Sequence, residues 1–265
     1  MDQLLQEVER LAKDYYKKYI SDKTSLVIAD VLEDIIMQQG IEVIYLRLPQ
    51  LDGESRILNG MFFKHVDPSI QPKIVINQLD TARTQNFTLA HEWFHYILES
   101  EDLKKYNIQI DSNEALERSG DYFAATILMN RDAFISYFGI MDKQPLENRI
   151  FKLADIFKVP YISVIRRIEE LGLGDVSAYK EMSEQKLTEL RNNLLGASIF
   201  DGPSKRPEFA QYQQLVIKKE VSGLISSQET AKILASLNSE LAEKYFNKSI
   251  SEKDIDALWD ELEDE

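Results

Sequence analysis

His91-Glu92-Trp93-Phe94-His95 is the most informative feature of this amino-acid sequence. On a helix, residues four positions apart lie on one face, so the two imidazoles can reach a single metal ion. The surrounding residues 87–98 have apolar side chains at helical spacing and include neither proline nor glycine. The pattern therefore predicts a helix that presents two histidines to a metal.

The alternative is that both histidines are buried core residues. Phe87, Ala90, Phe94 and Leu98 would share their helical face, and a lone histidine on such a face is usually part of the core. However, the chain has only three histidines, and two of them lie at the spacing of metal ligands. This spacing, with Glu92 directly after the first histidine, favours a Zn²⁺ site.

A third ligand is expected because zinc held by two histidines takes a third protein ligand and keeps one position for water. The remaining histidine, His65, precedes the motif, so a carboxylate from a later helix is expected. Glu117 and Asp121 lie four residues apart on the apolar stripe of a helix predicted within residues 111–129. We predict that Glu117 is the third ligand and that Asp121 orients one ligand histidine through its other ring N–H. The alternative third ligands are Glu114, Asp121 and Glu99.

Two further features of residues 111–129 concern the same helix. Asp111 followed three residues later by Glu114 resembles a capping box, which predicts the start of the helix. Gly120 is a poor helix former, and its missing side chain would allow a close approach to the helix of the two histidines.

Glu92 has a role separate from that of the ligands. A zinc ion at the histidines would activate water and polarise a peptide carbonyl. Glu92, directly after one ligand, is then placed to take a proton from water and to pass it to the leaving amine. The predicted reaction is metal-assisted hydrolysis of an amide bond. His65 and Tyr122 are candidates for the donor that stabilises the oxyanion.

The two motifs in combination resemble a known family. Residues 87–95 read Phe-Thr-Leu-Ala-His-Glu-Trp-Phe-His, and residues 117–129 read Glu-Arg-Ser-Gly-Asp-Tyr-Phe-Ala-Ala-Thr-Ile-Leu-Met. These runs are similar to those of the ImmA/IrrE-type metallo-endopeptidases, and the resemblance extends over about residues 25–175. The family usually has Leu-Gly, Ala, Asn and Pro where this chain has Trp93-Phe94, Gly120, Asp121 and Asn130.

The resemblance implies a gluzincin-like fold with zinc held by His91, His95 and Glu117, and with Glu92 as the general base. It further implies an endopeptidase whose protein substrate is a helix-turn-helix repressor-type transcription regulator. Two other classes of function remain open. One is a zinc-containing regulator that binds DNA, and the other is a partner-binding module, such as half of a toxin–antitoxin pair, without peptidase activity.

The coarse pattern predicts an α+β fold, in which a small antiparallel or mixed sheet packs on the helices of the metal site and an all-helical C-terminal part follows. Helices are predicted over residues 4–19 and 25–39. Strands are predicted over residues 41–46, 57–63 and 73–77. The strand at residues 73–77 is the candidate edge strand that would hold an extended substrate.

Residues 147–173 have the pattern of two helices joined by a short turn, as in helix-turn-helix DNA-binding proteins. The second helix carries Arg166 and Arg167 against Glu169 and Glu170. This balance favours a packing module over DNA recognition.

We predict a metallopeptidase domain over residues 1–195, which includes the helix-turn-helix-like segment, and an acidic helical extension over residues 196–265. The chain of 265 residues has a net charge of −14, which argues against generic binding to nucleic acid or to anionic membranes. It has no cysteine, which excludes disulfides and thiol catalysis. We find no signal peptide and no apolar run near the roughly 20 residues that cross a membrane, so we expect a cytoplasmic protein.

Overall fold

A computed structural model describes residues 3–20, 27–48, 58–99, 105–204, 206 and 208–263. The chain divides into two compact units, Met1–Val43 with Arg47–Ser204, and Ile44–Leu46 with Lys205–Glu265. The division into domains at residue 195 stays a prediction. Within the described residues, no helix has both the length and the apolar character needed to cross a membrane.

The protein has the predicted α+β fold, with a small sheet and a mostly helical C-terminal region. The first part of the chain forms α1 (Gln3–Tyr19), a 3-10 turn (Ile28–Asp30), α2 (Leu32–Met37), β1 (Glu42–Leu46), β2 (Gly60–Phe63), β3 (Lys73–Asn77) and α3 (Ala82–Leu98). The remaining helices are α4 (Asn113–Leu128), α5 (Arg131–Ile140), α6 (Leu146–Phe157), α7 (Tyr161–Glu170), α8 (Glu184–Leu195), α9 (Ala210–Val221), α10 (Ser227–Leu234) and α11 (Ser239–Glu263).

The sheet is mixed, and its strands lie in the order β1-β3-β2. Strands β2 and β3 are antiparallel, with Gly60 opposite Ile76 and Phe62 opposite Ile74. The prediction that residues 73–77 form an edge strand is therefore wrong, because β3 has a neighbour on each side. Strand β2 is an edge of the sheet instead. Strand order depends on contacts between distant residues, which the local alternation of apolar side chains does not encode.

Gly60 explains how this edge strand approaches the helix of the two histidines. A Cβ atom at residue 60 would lie 2.5 Å from Cγ2 of Thr88 on α3 and 2.8 Å from the carbonyl oxygen of Val75. These distances are shorter than van der Waals contacts, so a side chain at this position would push β2 away from α3. The glycine therefore sets the spacing between the edge strand and the site.

Helix α3 forms where the histidine spacing predicts it. It begins after Thr81, whose hydroxyl oxygen accepts a hydrogen bond from the N–H of Thr84, a standard N-cap. Trp93 and Phe94 are fully buried, and both pack on Phe123 of α4 with ring centroids 5.7 and 5.4 Å apart. The large aromatic pair between the two histidines thus joins α3 to α4.

Arg83 fixes the other end of α3. Its side chain is 1% exposed and forms ion pairs with Asp155 on α6 and with Asp201. Its guanidinium also donates to the carbonyl oxygens of Ala154, at 2.6 Å, and of Val159, at 3.4 Å. A buried charge needs such partners, and here they connect the start of α3 to α6 and to the turn that follows α6.

Helix α4 starts slightly later than predicted. Its N-cap is Ser112, whose hydroxyl oxygen accepts from the N–H of Ala115 at 3.1 Å. The predicted capping box between Asp111 and Glu114 is therefore wrong. Serine and aspartate are both good N-cap residues, so composition alone does not choose between adjacent positions.

Helices α6 and α7 are the two helices predicted in residues 147–173. The turn between them contains Lys158, which has a left-handed backbone with a φ of 55°. The first two N–H groups of α7, from Tyr161 and Ile162, donate to the carboxylate of Glu184 on α8. The start of α7 is thereby capped by a side chain of the first unit.

The predicted helix at residues 4–19 is confirmed by α1. The one predicted at residues 25–39 is shorter, because a 3-10 turn precedes α2; residues 25 and 26 lie outside the described residues, as does residue 57 of the predicted second strand. In the second unit, Val216, Leu234 and Ala242 form a small apolar core among α9, α10 and α11.

Candidate metal centre

The two histidines of α3 face each other. The Nε2 atoms of His91 and His95 are 3.1 Å apart, and their side chains are 12% and 18% exposed. The ligand-type atoms of His91, Glu92 and His95 all lie within 4.8 Å of one another. The spacing of i and i+4 thus produces the convergence of imidazoles expected from the sequence.

Glu117 brings a carboxylate from α4 to the same point. Its Oε2 atom is 3.5 Å from Nε2 of His91, and its Oε1 atom is 4.0 Å from Nε2 of His95. The side chain is 58% exposed. Two imidazole nitrogens and a carboxylate oxygen at one exposed edge form a donor set that fits Zn²⁺.

Asp121 lies on the other side of the His91 ring. Its Oδ1 atom is 3.1 Å from Nδ1 of His91. A carboxylate at Nδ1 favours the tautomer that carries its proton there, which leaves the Nε2 lone pair directed toward His95 and Glu117. The second oxygen, Oδ2, accepts a hydrogen bond from Nη1 of Arg166 at 3.2 Å.

Glu92 lies close to the two histidines, with a carboxylate oxygen within 4.8 Å of their ligand-type nitrogens. Its side chain is buried, and its carboxylate accepts a hydrogen bond from the backbone N–H of Phe62 in β2. Glu92 therefore lies between the two histidines and the edge strand.

Gly120 permits the close contact between α4 and His91, as the sequence suggested. A Cβ atom at this position would lie 2.8 Å from Cε1, 2.9 Å from Nε2 and 3.0 Å from Nδ1 of the His91 ring. An alanine here would require the imidazole to move.

Charge and burial act together on these side chains. Burial lowers the pKa of His91, but the carboxylates of Asp121 and Glu117 outweigh it and raise that pKa to about 9. Burial, together with the neighbouring His91, lowers the pKa of His95. Burial raises the pKa of Glu92 to about 7. A cation bound at the Nε2 atoms would take the place of the proton that the carboxylates otherwise favour on His91.

The other candidates from the sequence form different contacts, although Tyr122 lines the same cleft as Glu117 and Asp121. The hydroxyl of Tyr122 donates to Glu9 on α1 at 3.4 Å, and Nδ1 of His65 accepts from the N–H of Asp67 at 2.9 Å. Glu99 forms an exposed ion pair with Lys64 at 3.1 Å. None of these contacts is made to His91 or His95.

A cleft of about 860 Å³ opens beside the donor set. Glu114, Glu117 and Asp121 from α4 form one side of it, and Ser163 and Arg166 from α7 also line it. Glu114 thus shares the cleft with Glu117. Sequence reasoning missed Arg166 as a residue of this site, since it weighed that side chain only for DNA recognition.

Fold and site together define a metallopeptidase-like α+β domain, in which one helix carries His-Glu-x-x-His and the next helix along the chain brings a carboxylate to the histidines. The family model for the IrrE N-terminal-like domain, Peptidase_M78, matches residues 36–169 of this chain. The chain belongs to this family.

A solved structure of a Mycobacterium tuberculosis transcriptional regulator is similar with a TM-score of 0.41 and 15% sequence identity. The match covers 62% of this chain and 46% of the regulator, so the chain spans about half of that protein. No curated protein matches the chain.

Proposed function

We propose that this protein is a zinc-dependent endopeptidase. The observation that carries the proposal is the convergence of His91, His95 and Glu117, with their nitrogen and oxygen atoms 3.1 to 4.0 Å apart. We assign these three side chains as the metal ligands, Asp121 as the acceptor that orients His91, and Glu92 as the general base.

Bound zinc would supply a Lewis acid that activates water and polarises the scissile carbonyl. Glu92 would hold the proton taken from the attacking water and deliver it to the leaving amine. The N–H of Phe62 donates a hydrogen bond to the Glu92 carboxylate and holds it in place. Burial around Glu92 keeps bulk water away from the proton transfer.

The edge strand β2 supports an extended peptide as the substrate. In an antiparallel strand the N–H and C=O groups of one residue point to the same side. The carbonyl of Asn59 pairs with the N–H of Asn77, so the backbone groups of Gly60 and Phe62 point away from β3. The N–H of Phe62 donates to Glu92, which leaves the groups of Gly60 and the carbonyl of Phe62 for an added chain. An extended chain can add to such an edge, and here it would run beside Glu92.

We further propose, from family membership, that the substrate is a repressor-type regulator with a helix-turn-helix and that the enzyme works in the cytoplasm. The alternative use of residues 147–173 as a DNA reader has less support. Arg167 is 2% exposed, and Arg166 is engaged by Asp121. The two arginines of the second helix are therefore not presented together to a nucleic acid.

The first test is the zinc content of the purified protein by elemental analysis. We expect near-stoichiometric zinc in the wild type and its loss in His95→Ala and in Glu117→Ala. Glu114→Ala is the matched control, because Glu114 lies on the same helix and in the same cleft. Loss of zinc in Glu114→Ala together with its retention in Glu117→Ala would assign the third ligand to Glu114 instead. Absence of zinc after reconstitution of the wild type would overturn the proposal.

The second test concerns hydrolysis. Zinc-loaded wild type and Glu92→Gln are incubated with a proteome-derived peptide library, and new peptide ends are identified by mass spectrometry. We expect specific new ends with the wild type and a loss of at least about 100-fold in Glu92→Gln, which should keep its zinc. Equal cleavage by both proteins would exclude Glu92 as the base.

A further inference from the structure

The second helix of the helix-turn-helix-like segment reaches the metal centre through one side chain. Arg166 lies on α7, 75 residues after His91 in the sequence. Its Nη1 atom is 3.2 Å from Oδ2 of Asp121, while Oδ1 of the same carboxylate is 3.1 Å from Nδ1 of His91. We propose that Arg166 is a positioning residue that acts on His91 through Asp121. The inference rests on the metal centre of the proposed function, though not on its peptidase activity.

The geometry gives each oxygen of Asp121 one partner. A carboxylate held by a single hydrogen bond can rotate about its terminal bond, because that torsion has broad minima. With Arg166 on Oδ2, the plane of the carboxylate is fixed and Oδ1 remains in line with the N–H at Nδ1 of His91. The orientation of the ring, and therefore of its Nε2 lone pair, depends on both contacts.

Arg166 is suited to this task by position rather than by burial. Its side chain is 59% exposed and that of Asp121 is 42% exposed, so the ion pair adds little to the stability of the fold. Arg167, the next residue, is buried and donates to the carbonyl oxygen of Met129 and to Glu170. That anchor holds α7 against the end of α4, so that Arg166 is presented to Asp121 across the cleft.

The arrangement also gives residues 147–173 a role in this protein. Helix α7 supplies Ser163 and Arg166 to the cleft beside the donor set. A segment with the pattern of a DNA-binding helix-turn-helix would here help to orient His91, a metal ligand. The second helix of the pair would then set how strongly the first histidine binds its ion.

The experiment measures the affinity for Zn²⁺ by competition with a fluorescent chelator, and the absorption spectrum of the Co²⁺-loaded protein. Loss of an outer partner of a ligand typically weakens metal binding about 10- to 100-fold. We expect that range for Asp121→Asn and roughly a fivefold loss for Arg166→Gln, one step further out. Arg166→Lys, which keeps a cationic donor, should restore most of the affinity. The Co²⁺ spectrum should shift in Arg166→Gln and return in Arg166→Lys.

Two controls separate positioning from other effects. Arg118→Gln removes the same charge from the same cleft, and should leave zinc affinity within about twofold. In the double variant Arg166→Gln, Asp121→Asn, the arginine substitution should add nothing to the effect of Asp121→Asn. The unfolding temperature of the metal-free variants should match that of the wild type.

Three results would overturn the inference. They are wild-type zinc affinity in Arg166→Gln, additive losses in the double variant, or an equal loss in Arg118→Gln. If the wild type binds no zinc, the metal centre and the inference fail together. If it binds zinc but cleaves no peptide, the peptidase proposal fails, and the affinities still decide the role of Arg166.

Discussion

Helix α3 buries polar side chains near both of its ends but pairs them in different ways. Near the start, Arg83 is surrounded by acceptors: two carboxylates, two carbonyl oxygens, and the hydroxyls of Tyr161 and Ser198. Near the end, His91 and His95 direct nitrogen atoms at each other across 3.1 Å. A fully paired buried charge stabilises an architecture, whereas converging donor atoms bind a cation. Substitutions at the start of α3 should therefore change the stability of the fold, and those near the histidines should change zinc affinity.

The largest expected effect is on stability, from a substitution of Arg83 near the start of α3. Arg83→Leu would leave Asp155 and Asp201 without their main counter-charge, and we expect it to lower the free energy of unfolding by about 3–5 kcal/mol. Urea denaturation of the metal-free protein measures this loss. Arg118→Leu, at an exposed arginine, should change it by less than about 0.5 kcal/mol. A similar loss in both variants would mean that the pairing of Arg83 is not special.

Acidic pH should weaken the ion pairs around Arg83. Burial opposes ionisation of Asp155, but hydrogen bonds from Arg83, Arg191 and Ser198 outweigh it and hold the pKa of this carboxyl below its ordinary value. Because the pKa is lower in the folded state, the stabilisation is present above the unfolded pKa of about 4 and is lost as the pH falls through the folded pKa. We expect Asp155→Asn to cost about 2 kcal/mol at pH 7.

The difference in unfolding free energy between Asp155→Asn and the wild type should shrink below about pH 4, where the wild-type carboxyl is also neutral. Urea denaturation of both proteins at several pH values measures it. A difference that does not change with pH would show that the charge of Asp155 contributes nothing, and that only its shape matters.

A smaller effect is expected at the metal-binding end. Gly120→Ala places a methyl group against the His91 ring, whose atoms would be 2.8 to 3.0 Å away. Because the ring is the part that can move, we expect zinc affinity to fall roughly tenfold, as for other changes that disturb a ligand's orientation. The stability of the metal-free protein should hold or rise by up to about 1 kcal/mol from the better helix former.

Gly139→Ala is the matched control, since a Cβ atom at that glycine of α5 would meet nothing within 4 Å. It should leave zinc affinity unchanged, as measured by the same chelator competition. Equal affinity in Gly120→Ala and in the wild type would contradict a dependence of His91 on the packing of α4.

The smallest effect is expected at an exposed pair near neither set of contacts. Lys64 and Glu99 lie 3.1 Å apart with both side chains 51% exposed. Lys64→Gln should change the free energy of unfolding by less than about 1 kcal/mol and leave zinc affinity unaltered. A clear loss of zinc would mean that Glu99, an alternative third ligand from the sequence, takes part in the site.

Local spacing accounts for the parts of the fold and site that the sequence predicts well. The i and i+4 rule brings His91 beside His95, and the same rule on α4 turns Glu117 and Asp121 to one side. These relations hold within single helices, so they depend on few residues. Gly120 was informative for the same reason, because a poor helix former inside a strong helical pattern suggests a close contact.

Contacts between distant residues account for what the sequence did not predict. Arg83 pairs with Asp155 and Asp201, which follow it by 72 and by 118 positions. Arg166 pairs with an aspartate that precedes it by 45 positions. The placement of β2 at the edge likewise depends on how β1 and β3 pair. A surface arginine and a buried arginine look alike in one sequence, because burial is decided by the packing of other elements.

Trp93 has a consequence for spectroscopy. It lies on α3 between the two histidines, is fully buried, and packs edge-on against Tyr15 at 5.7 Å. The chain has two tryptophans, so Trp259→Phe leaves Trp93 as the single indole. Its fluorescence would then respond to changes in the packing of α3, the helix that carries the two histidines. Zinc has no visible absorption of its own. The fluorescence of Trp93 therefore offers an optical signal for any change in the position of α3 when the metal binds.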